Sequence, residues 1–141
     1  MSITLHATCV AIRDRGVLIL GPSGSGKSDL ALRLIDRGAE LVSDDGTIVE
    51  ARNGRLIARA GPNIAGKIEA RGVGILTLPY RLDVALALAV DLSAPPQRLP
   101  DEKLPAYGIE GVDLPCLALI PFENLSAFKV EQALQVYGLA V

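Results

Sequence analysis

The sequence predicts one α/β domain with a mixed, largely antiparallel sheet, and three observations support this fold class. An apolar run at 17–20 leads into a glycine-rich segment at 21–28 and then into a helical pattern. Turn residues between apolar runs indicate β-hairpins, most clearly at Asn53-Gly54. An amphipathic stretch at 127–137 indicates a C-terminal helix. The chain has 141 residues, half of them apolar, so we expect a single domain over 1–141.

The bulk composition excludes several classes of protein. The net charge is −2, without runs of one sign, so no basic face for nucleic acid is expected. No stretch is apolar enough to cross a membrane, and the N-terminus lacks a signal-peptide layout. Cys9 and Cys116 lie in apolar segments without C-x-x-C spacing, which favours buried free thiols. These features together predict a cytoplasmic protein with an aliphatic core.

The first elements are predicted from the N-terminal third of the chain. Apolar and β-branched runs at 4–12 and 16–20, separated by Asp14-Arg15-Gly16, predict a β-hairpin whose second strand enters the glycine-rich segment. One helix follows at 28–37, because a single apolar stripe runs along it, and it should stop at Gly38.

The remaining strands are predicted, in chain order, at 40–44, 47–60 (a hairpin), 75–78, 84–92 and 114–122. The strand at 84–92 alternates Val or Leu with Ala, which predicts one bulky face and one thin face. Four prolines at 94–105 predict an exposed loop. Asn124 or Ser126 is expected to cap the final helix.

The glycine-rich segment carries the most specific motif, G-x-x-x-x-G-K-[ST], the P-loop. Its glycines allow backbone conformations in which successive N–H groups converge on phosphate oxygens, and the following helix adds its positive end. The lysine supplies a mobile cation for the outer phosphates, and the last hydroxyl can bind Mg²⁺. The motif predicts a nucleoside triphosphate site formed by Gly21, Pro22, Ser23, Gly24, Ser25, Gly26, Lys27 and Ser28.

A P-loop alone does not distinguish a kinase from an ATPase, a GTPase or a sensor, so the position of a second metal-linked acid matters. Asp91 closes an apolar run, which is the usual pattern for such an acid. The adjacent pair Asp44-Asp45 follows a short strand, and two neighbouring carboxylates are tolerated when partly buried only beside a cation or with a raised pKa. The residue pattern by itself leaves both positions open.

Four motifs, in order, resemble those of HPr kinase/phosphorylase, a bacterial enzyme that acts on a serine of the small phosphocarrier protein HPr. They are a histidine before the paired strands, the P-loop, Leu-Val-x-Asp-Asp and Ile-Glu-x-Arg-Gly-x-Gly-Ile. In this sequence they stand at His6, 21–28, 41–45 and 68–75. The resemblance covers nearly the whole chain as the catalytic C-terminal domain. It implies the P-loop fold shared with phosphoenolpyruvate carboxykinases, with ATP and Mg²⁺ as cofactors.

The resemblance also implies residue roles. Asp44 would accept the proton of the substrate serine, with His6 beside it. Lys27 would bind the phosphates, and Mg²⁺ would be held by Ser28 and Glu69, with Asp45 as a further candidate ligand. Arg98 is a weaker match to the catalytic arginine of the family, which would neutralise charge on the transferring group.

The implied function is an ATP- and Mg²⁺-dependent protein serine kinase that phosphorylates an HPr-like phosphocarrier and regulates carbohydrate metabolism through the phosphotransferase system. A homo-oligomer is expected, with no nucleic acid or membrane partner. The sequence departs from the family at 121–124, where Pro-Phe-Glu-Asn replaces an arginine-bearing loop associated with dephosphorylation, so we expect weak or absent phosphorylase activity. The alternatives are a small-molecule kinase that uses Asp91 and a non-catalytic ATP sensor.

Overall fold

The computed structural model describes residues 1–141 and contains eleven strands and two helices. The strands are β1 (Ser2–Leu5), β2 (Ala7–Ile12), β3 (Arg15–Leu20), β4 (Glu40–Ser43), β5 (Thr47–Arg52), β6 (Arg55–Ala60), β7 (Lys67–Ala70), β8 (Gly74–Thr77), β9 (Val84–Asp91), β10 (Ala106–Ile109) and β11 (Val112–Ala118). The helices are α1 (Lys27–Asp36) and α2 (Ser126–Tyr137).

Nine of the strands form one sheet, and β7 and β8 form a separate hairpin. The main path runs β1-β5-β6-β9-β3-β2-β4. Strand β9 pairs in parallel with β3 on one edge, and on its other edge with β6 at its start and β11 at its end. Of the strand pairings, only β9–β3 and β9–β11 are parallel, and all the others, β9–β6 included, are antiparallel. This confirms the predicted mixed, largely antiparallel sheet with a hairpin ahead of the glycine-rich segment and a C-terminal helix.

Two apolar clusters lie on the two faces of this sheet. One packs the sheet against α1 and α2, and the other fills the space under β5, β6 and the β10–β11 hairpin. The prediction of a bulky and a thin face for β9 is wrong. The pairing with β3 slips by one residue after Leu86, so Val84 and Leu86 face one cluster while Leu88 and Val90 face the other. A bulge therefore lets one strand contribute large side chains to both cores.

The structure subdivides the predicted N-terminal strand. The chain bends at His6, so that β1 leaves to pair with β5 while β2 pairs with β3. The hairpin at Asn53-Gly54 is confirmed, with both residues at positive φ between paired Arg52 and Arg55. Two strands were missed, β7 and β10, because each has only four residues, too few for a reliable pattern in the sequence.

Neither predicted residue caps α2. The cap position is Leu125, and the Ser126 hydroxyl instead donates to Ile120 O (2.6 Å) and accepts from the Glu123 N–H (3.1 Å). The buried serine thus fixes the loop that enters the helix, a point that becomes important at the site.

The two cysteines are free, as the sequence predicts, but only Cys9 is buried, whereas Cys116 is partly exposed. Burial raises the pKa of the Cys9 thiol strongly and that of Cys116 to about 11, so neither is a thiolate at neutral pH. The longer helix has 12 residues, and neither helix is long and apolar enough to span a membrane.

Candidate functional site

The glycine-rich loop, residues 21–26, joins the end of β3 to the start of α1. It is curled, with the Ser25 N–H donating to Pro22 O (3.1 Å), and α1 begins directly behind it. Gly24 and Gly26 have φ of +81° and +101°, values that other residues rarely adopt. The loop borders a cleft of about 350 Å³ that opens over the N-terminal end of α1.

Lys27 is almost fully buried, with 5% of its surface exposed. Its ammonium donates to the carbonyls of Gly21 (2.8 Å) and Pro22 (3.2 Å), both in the glycine-rich loop. It also lies 3.6 Å from a carboxylate oxygen of Asp45. A buried ammonium is costly unless it is paired, so these contacts hold the charge at the floor of the cleft.

Asp44 lies at the centre of a hydrogen-bond cluster. Its Oδ1 accepts from the Ser28 hydroxyl (2.6 Å) and the Thr8 hydroxyl (3.0 Å), and its Oδ2 accepts from the Glu69 N–H (3.1 Å). These bonds join β2, the start of α1, β4 and β7. Thr8 was not predicted as a site residue, although it stands two positions after His6 on a strand that pairs with β4.

Asp45 points towards the cleft and contacts His6. The Asp45 Oδ1 to His6 Nδ1 distance is 2.9 Å, and the other ring nitrogen lies 3.2 Å from the Ser23 hydroxyl in the glycine-rich loop. The Asp45 side chain is 46% exposed, and its backbone has a φ of +52°. A residue that is not glycine adopts such a φ at a cost, which the Asp45 N–H offsets by donating to the Thr8 hydroxyl (3.2 Å).

These contacts correct the expected arrangement of the acid pair. The family resemblance predicts that His6 lies beside Asp44 and that Asp45 is a further candidate ligand of the metal. In the structure His6 lies beside Asp45, and Asp44 is the acid bonded to Ser28. The two carboxylates point in different directions because the backbone turns sharply at Asp45 after β4 ends.

Glu69 and Arg71 line the same cleft from the β7–β8 hairpin. Only the backbone of Glu69 is engaged, so its carboxylate is left exposed to the cleft. Arg71 is exposed and forms no ion pair. Ser28, Asp45 and Glu69 line the cleft, and Asp44 contacts Ser28, so oxygens of the kind that Mg²⁺ prefers are present on this side. No three Asp, Glu, His or Cys side chains cluster closely enough to hold a metal ion by themselves, so an ion here would need further ligands such as phosphate oxygens.

The structure does not bring Arg98 or Asp91 to the cleft. Arg98 is exposed in the loop between β9 and β10, and the arginines that line the cleft are Arg33 and Arg71. Asp91 accepts from the N–H and the hydroxyl of Ser93 at the end of β9. A metal-linked acid must approach Ser28. Of the candidates Asp44 and Asp91, only Asp44 contacts it.

The opposite wall of the cleft comes from the loop between β11 and α2. Phe122 is the one apolar residue lining the cleft, and its ring lies against Gly26. Arg33 holds this loop by donating to the carbonyls of Pro121 (3.3 Å) and Glu123 (2.9 Å). Neither residue was predicted as part of the site, because an Arg on a helix and a Phe in a loop carry no motif.

Comparisons with known proteins show what this chain is similar to. An HPr kinase/phosphorylase from Clostridium beijerinckii is 44% identical over 72 residues, which is 51% of this chain and 24% of that protein. One from Clostridium tetani is 43% identical over 75 residues, covering 53% and 25% of the two chains. The matched segment therefore spans about a quarter of the length of these relatives.

A solved structure of the Hpr(Ser) kinase/phosphatase from Coxiella burnetii has the same fold over most of the chain. It superposes with a TM-score of 0.80 at 29% sequence identity and covers 94% of this chain and 88% of that one. The sequence pattern of the HPr Serine kinase C-terminal domain matches residues 1–81, which contain every residue of the Asp44 and Asp45 clusters. The chain thus belongs to the HPr serine kinase C-terminal domain family.

Proposed function

We propose that this protein is an ATP- and Mg²⁺-dependent kinase that phosphorylates a serine of an HPr-like phosphocarrier protein. The observation that carries the proposal is the position of two carboxylates with different surroundings on one side of the glycine-rich loop. One is bonded to the Ser28 hydroxyl, and the other is open to the cleft beside His6. A kinase needs both a metal-linked acid and a group that accepts the substrate proton.

Asp44 fits the metal-linked role better than the role of a base. Its oxygens already accept three hydrogen bonds, one of them from Ser28, the hydroxyl implicated in binding Mg²⁺. Together with Glu69, Asp44 and Ser28 would hold the ion. An ion held by these residues would supply positive charge to offset that of the phosphates.

Asp45 fits the role of the base. It is half exposed, so a serine hydroxyl can reach it, and His6 and Lys27 place positive or hydrogen-bonding groups around it. In the forward direction Asp45 takes the serine proton, and in the reverse direction it returns the proton to the serine oxygen. His6 orients the carboxylate through its Nδ1 and is fixed at its other nitrogen by Ser23.

Two cations are available for the phosphates. Lys27 can exchange the loop carbonyls for phosphate oxygens without leaving the cleft floor. Arg71 is the exposed cation at the cleft mouth. We assign to Arg71 the role predicted from the sequence for Arg98, which is to neutralise charge on the transferring group.

The metal assignment makes a specific prediction about Glu69. Glu69→Gln should weaken the binding of Mg²⁺–ATP more than the binding of ATP in the presence of a chelator, because only the carboxylate side chain is lost while the backbone bond to Asp44 remains. Isothermal titration with and without Mg²⁺ measures the difference. Glu102→Gln, an exposed acid in the loop between β9 and β10, serves as the matched control. Equal weakening in both conditions would assign Glu69 a structural role.

Incubation with labelled ATP, Mg²⁺ and purified HPr-like proteins tests the proposed activity directly. Label should appear on a serine, and it should be absent with Lys27→Ala. Nucleotide binding without transfer to any protein would instead support the sensor alternative. Nothing in the cleft favours the small-molecule kinase built on Asp91, which lies outside it.

The labelled product of this assay is also the starting material for a test of the reverse reaction. The relatives from Clostridium carry the name kinase/phosphorylase, and the solved relative is a kinase/phosphatase. The expectation of lost phosphorylase activity rests only on residues 121–124, which lie beyond the segment matched by the family pattern, and the comparisons do not support it. The reverse reaction should therefore be measured as well, by incubating the labelled phosphoserine product with inorganic phosphate and following the loss of label from the serine.

A further inference from the structure

We propose that Phe122 is the platform on which the base of the bound nucleotide stacks, an inference that rests on the proposed nucleotide-binding function. Phe122 is the one apolar residue lining a cleft that is otherwise formed by polar, charged and glycine residues. Phe122 is not part of the hydrophobic core, since 57% of its surface is exposed. An exposed aromatic ring that lines a cleft of about 350 Å³ offers a face to a planar ligand.

The sheet topology gives the direction in which a nucleotide must lie. β4 and β3 both pair antiparallel with β2, so they run parallel to each other, and β9 and β11 run parallel to β3. The carboxyl ends of these four strands therefore meet at one edge of the sheet. Across that edge the order is β4, β2, β3, β9, β11, so the ends of β4 and β11 lie on opposite sides of the glycine-rich loop.

The reacting groups occupy the β4 side of this edge. Asp44 and Asp45 follow β4, and His6 stands at the corner before β2. The terminal phosphate must point towards them. With the phosphate chain over the glycine-rich loop, the nucleoside extends in the other direction, towards the loop after β11 where Phe122 lies. Two strand spacings of about 4.8 Å separate β3 from β11, which is within the reach of a nucleoside.

Phe122 is also held in place before any ligand binds. Arg33 donates to the carbonyls on both sides of it, and the buried Ser126 bonds to Ile120 and Glu123 in the same loop. The ring tip touches the loop at Gly26, so closely that a Cβ at Gly26 would lie 2.8 Å from Phe122 Cζ. A fixed ring loses little freedom on stacking, which favours its use as a binding platform.

Comparison of two ligands separates stacking from phosphate binding. Mg²⁺–ATP and inorganic tripolyphosphate with Mg²⁺ are titrated into the full chain by calorimetry. Phe122→Ala should weaken ATP binding by about 5- to 150-fold, the range for loss of one base–aromatic stack, and leave tripolyphosphate within about twofold. Phe128→Ala is the matched control, because Phe128 is an exposed phenylalanine on α2 that does not line the cleft, and it should change neither ligand.

A fluorescence measurement provides an independent readout. The chain has no tryptophan, so Phe122→Trp introduces a single tryptophan at the site, whose emission can be excited apart from that of the three tyrosines. ATP should quench it and tripolyphosphate should not, whereas Phe128→Trp should respond to neither. Equal weakening of both ligands by Phe122→Ala would show that Phe122 only shapes the loop and would overturn the proposal, as would unchanged ATP binding.

Failure of the proposed stacking role can be distinguished from failure of the proposed kinase activity. If ATP binds, depends on Phe122 and yet is never transferred to a protein, the stacking role stands and the kinase proposal fails. If transfer occurs and Phe122→Ala binds ATP normally, the kinase proposal stands and the stacking role fails. A wild-type chain that binds no ATP would overturn both.

Discussion

Asp45→Asn should lower phosphoryl transfer by about 10²- to 10⁴-fold, the usual scale for loss of a general base. The amide keeps the size of the side chain and can still accept from His6 Nδ1, but it cannot take a proton from the substrate serine. ATP affinity should stay within a few fold, because Lys27 keeps its contacts with the glycine-rich loop. Single-turnover transfer and calorimetry on the same preparation measure both quantities.

The neighbouring acid should respond differently. Asp44→Asn places an NH₂ group against one of three existing donors, so it should lower the melting temperature and weaken Mg²⁺ dependence together with transfer. Asp91→Asn, outside the cleft, should change transfer by no more than about twofold. If Asp44→Asn abolished transfer in a stable protein with normal Mg²⁺ binding, and Asp45→Asn were silent, the base would be Asp44, as the sequence analysis expected.

Gly26→Ala should abolish nucleotide binding, with a loss of about 10²-fold or more. Gly26 has a φ of +101°, and an added Cβ would meet Phe122 Cζ at 2.8 Å and Pro121 Cγ at 3.2 Å. Relief of this contact must move the glycine-rich loop, whose N–H groups are positioned for phosphate. Hydrogen bonds to a charged group contribute about 1.5–3 kcal/mol each, so misplacing two of them accounts for the loss.

A second glycine provides a matched control for the backbone strain. Gly38, after α1, has a similar φ of +111°, but nothing lies within 4 Å of a Cβ placed there. Gly38→Ala should therefore destabilise the fold by about 1–2 kcal/mol, as left-handed strain does, while nucleotide binding is kept. Normal ATP affinity in Gly26→Ala, measured by calorimetry, would show that the loop reshapes without loss and would contradict the prediction.

Much of the fold was predictable because its signals are local. The apolar run before the glycine-rich segment, the stripe of α1 ending at Gly38 and the Asn53-Gly54 turn each depend on neighbouring residues only. The bulge in β9 was not predictable from the sequence, because it arises from pairing with a strand about 70 residues earlier in the chain. The short strands β7 and β10 are likewise defined by their partners.

The features of the candidate site also fall into those that the sequence predicts and those that only the tertiary structure decides. The resemblance of four sequence motifs to a known family predicted that His6, the glycine-rich segment, Asp44-Asp45 and Glu69 belong to one site. Tertiary structure decided which carboxylate contacts what: a turn at positive φ sends Asp44 to Ser28 and Asp45 to His6, although the two acids are adjacent in the chain. It also decided that Arg98 and Asp91 lie outside the cleft, that Arg33 and Phe122 line it and that Thr8 contacts Asp44. These positions depend on strand order and loop anchoring, which leave no pattern in the residues themselves.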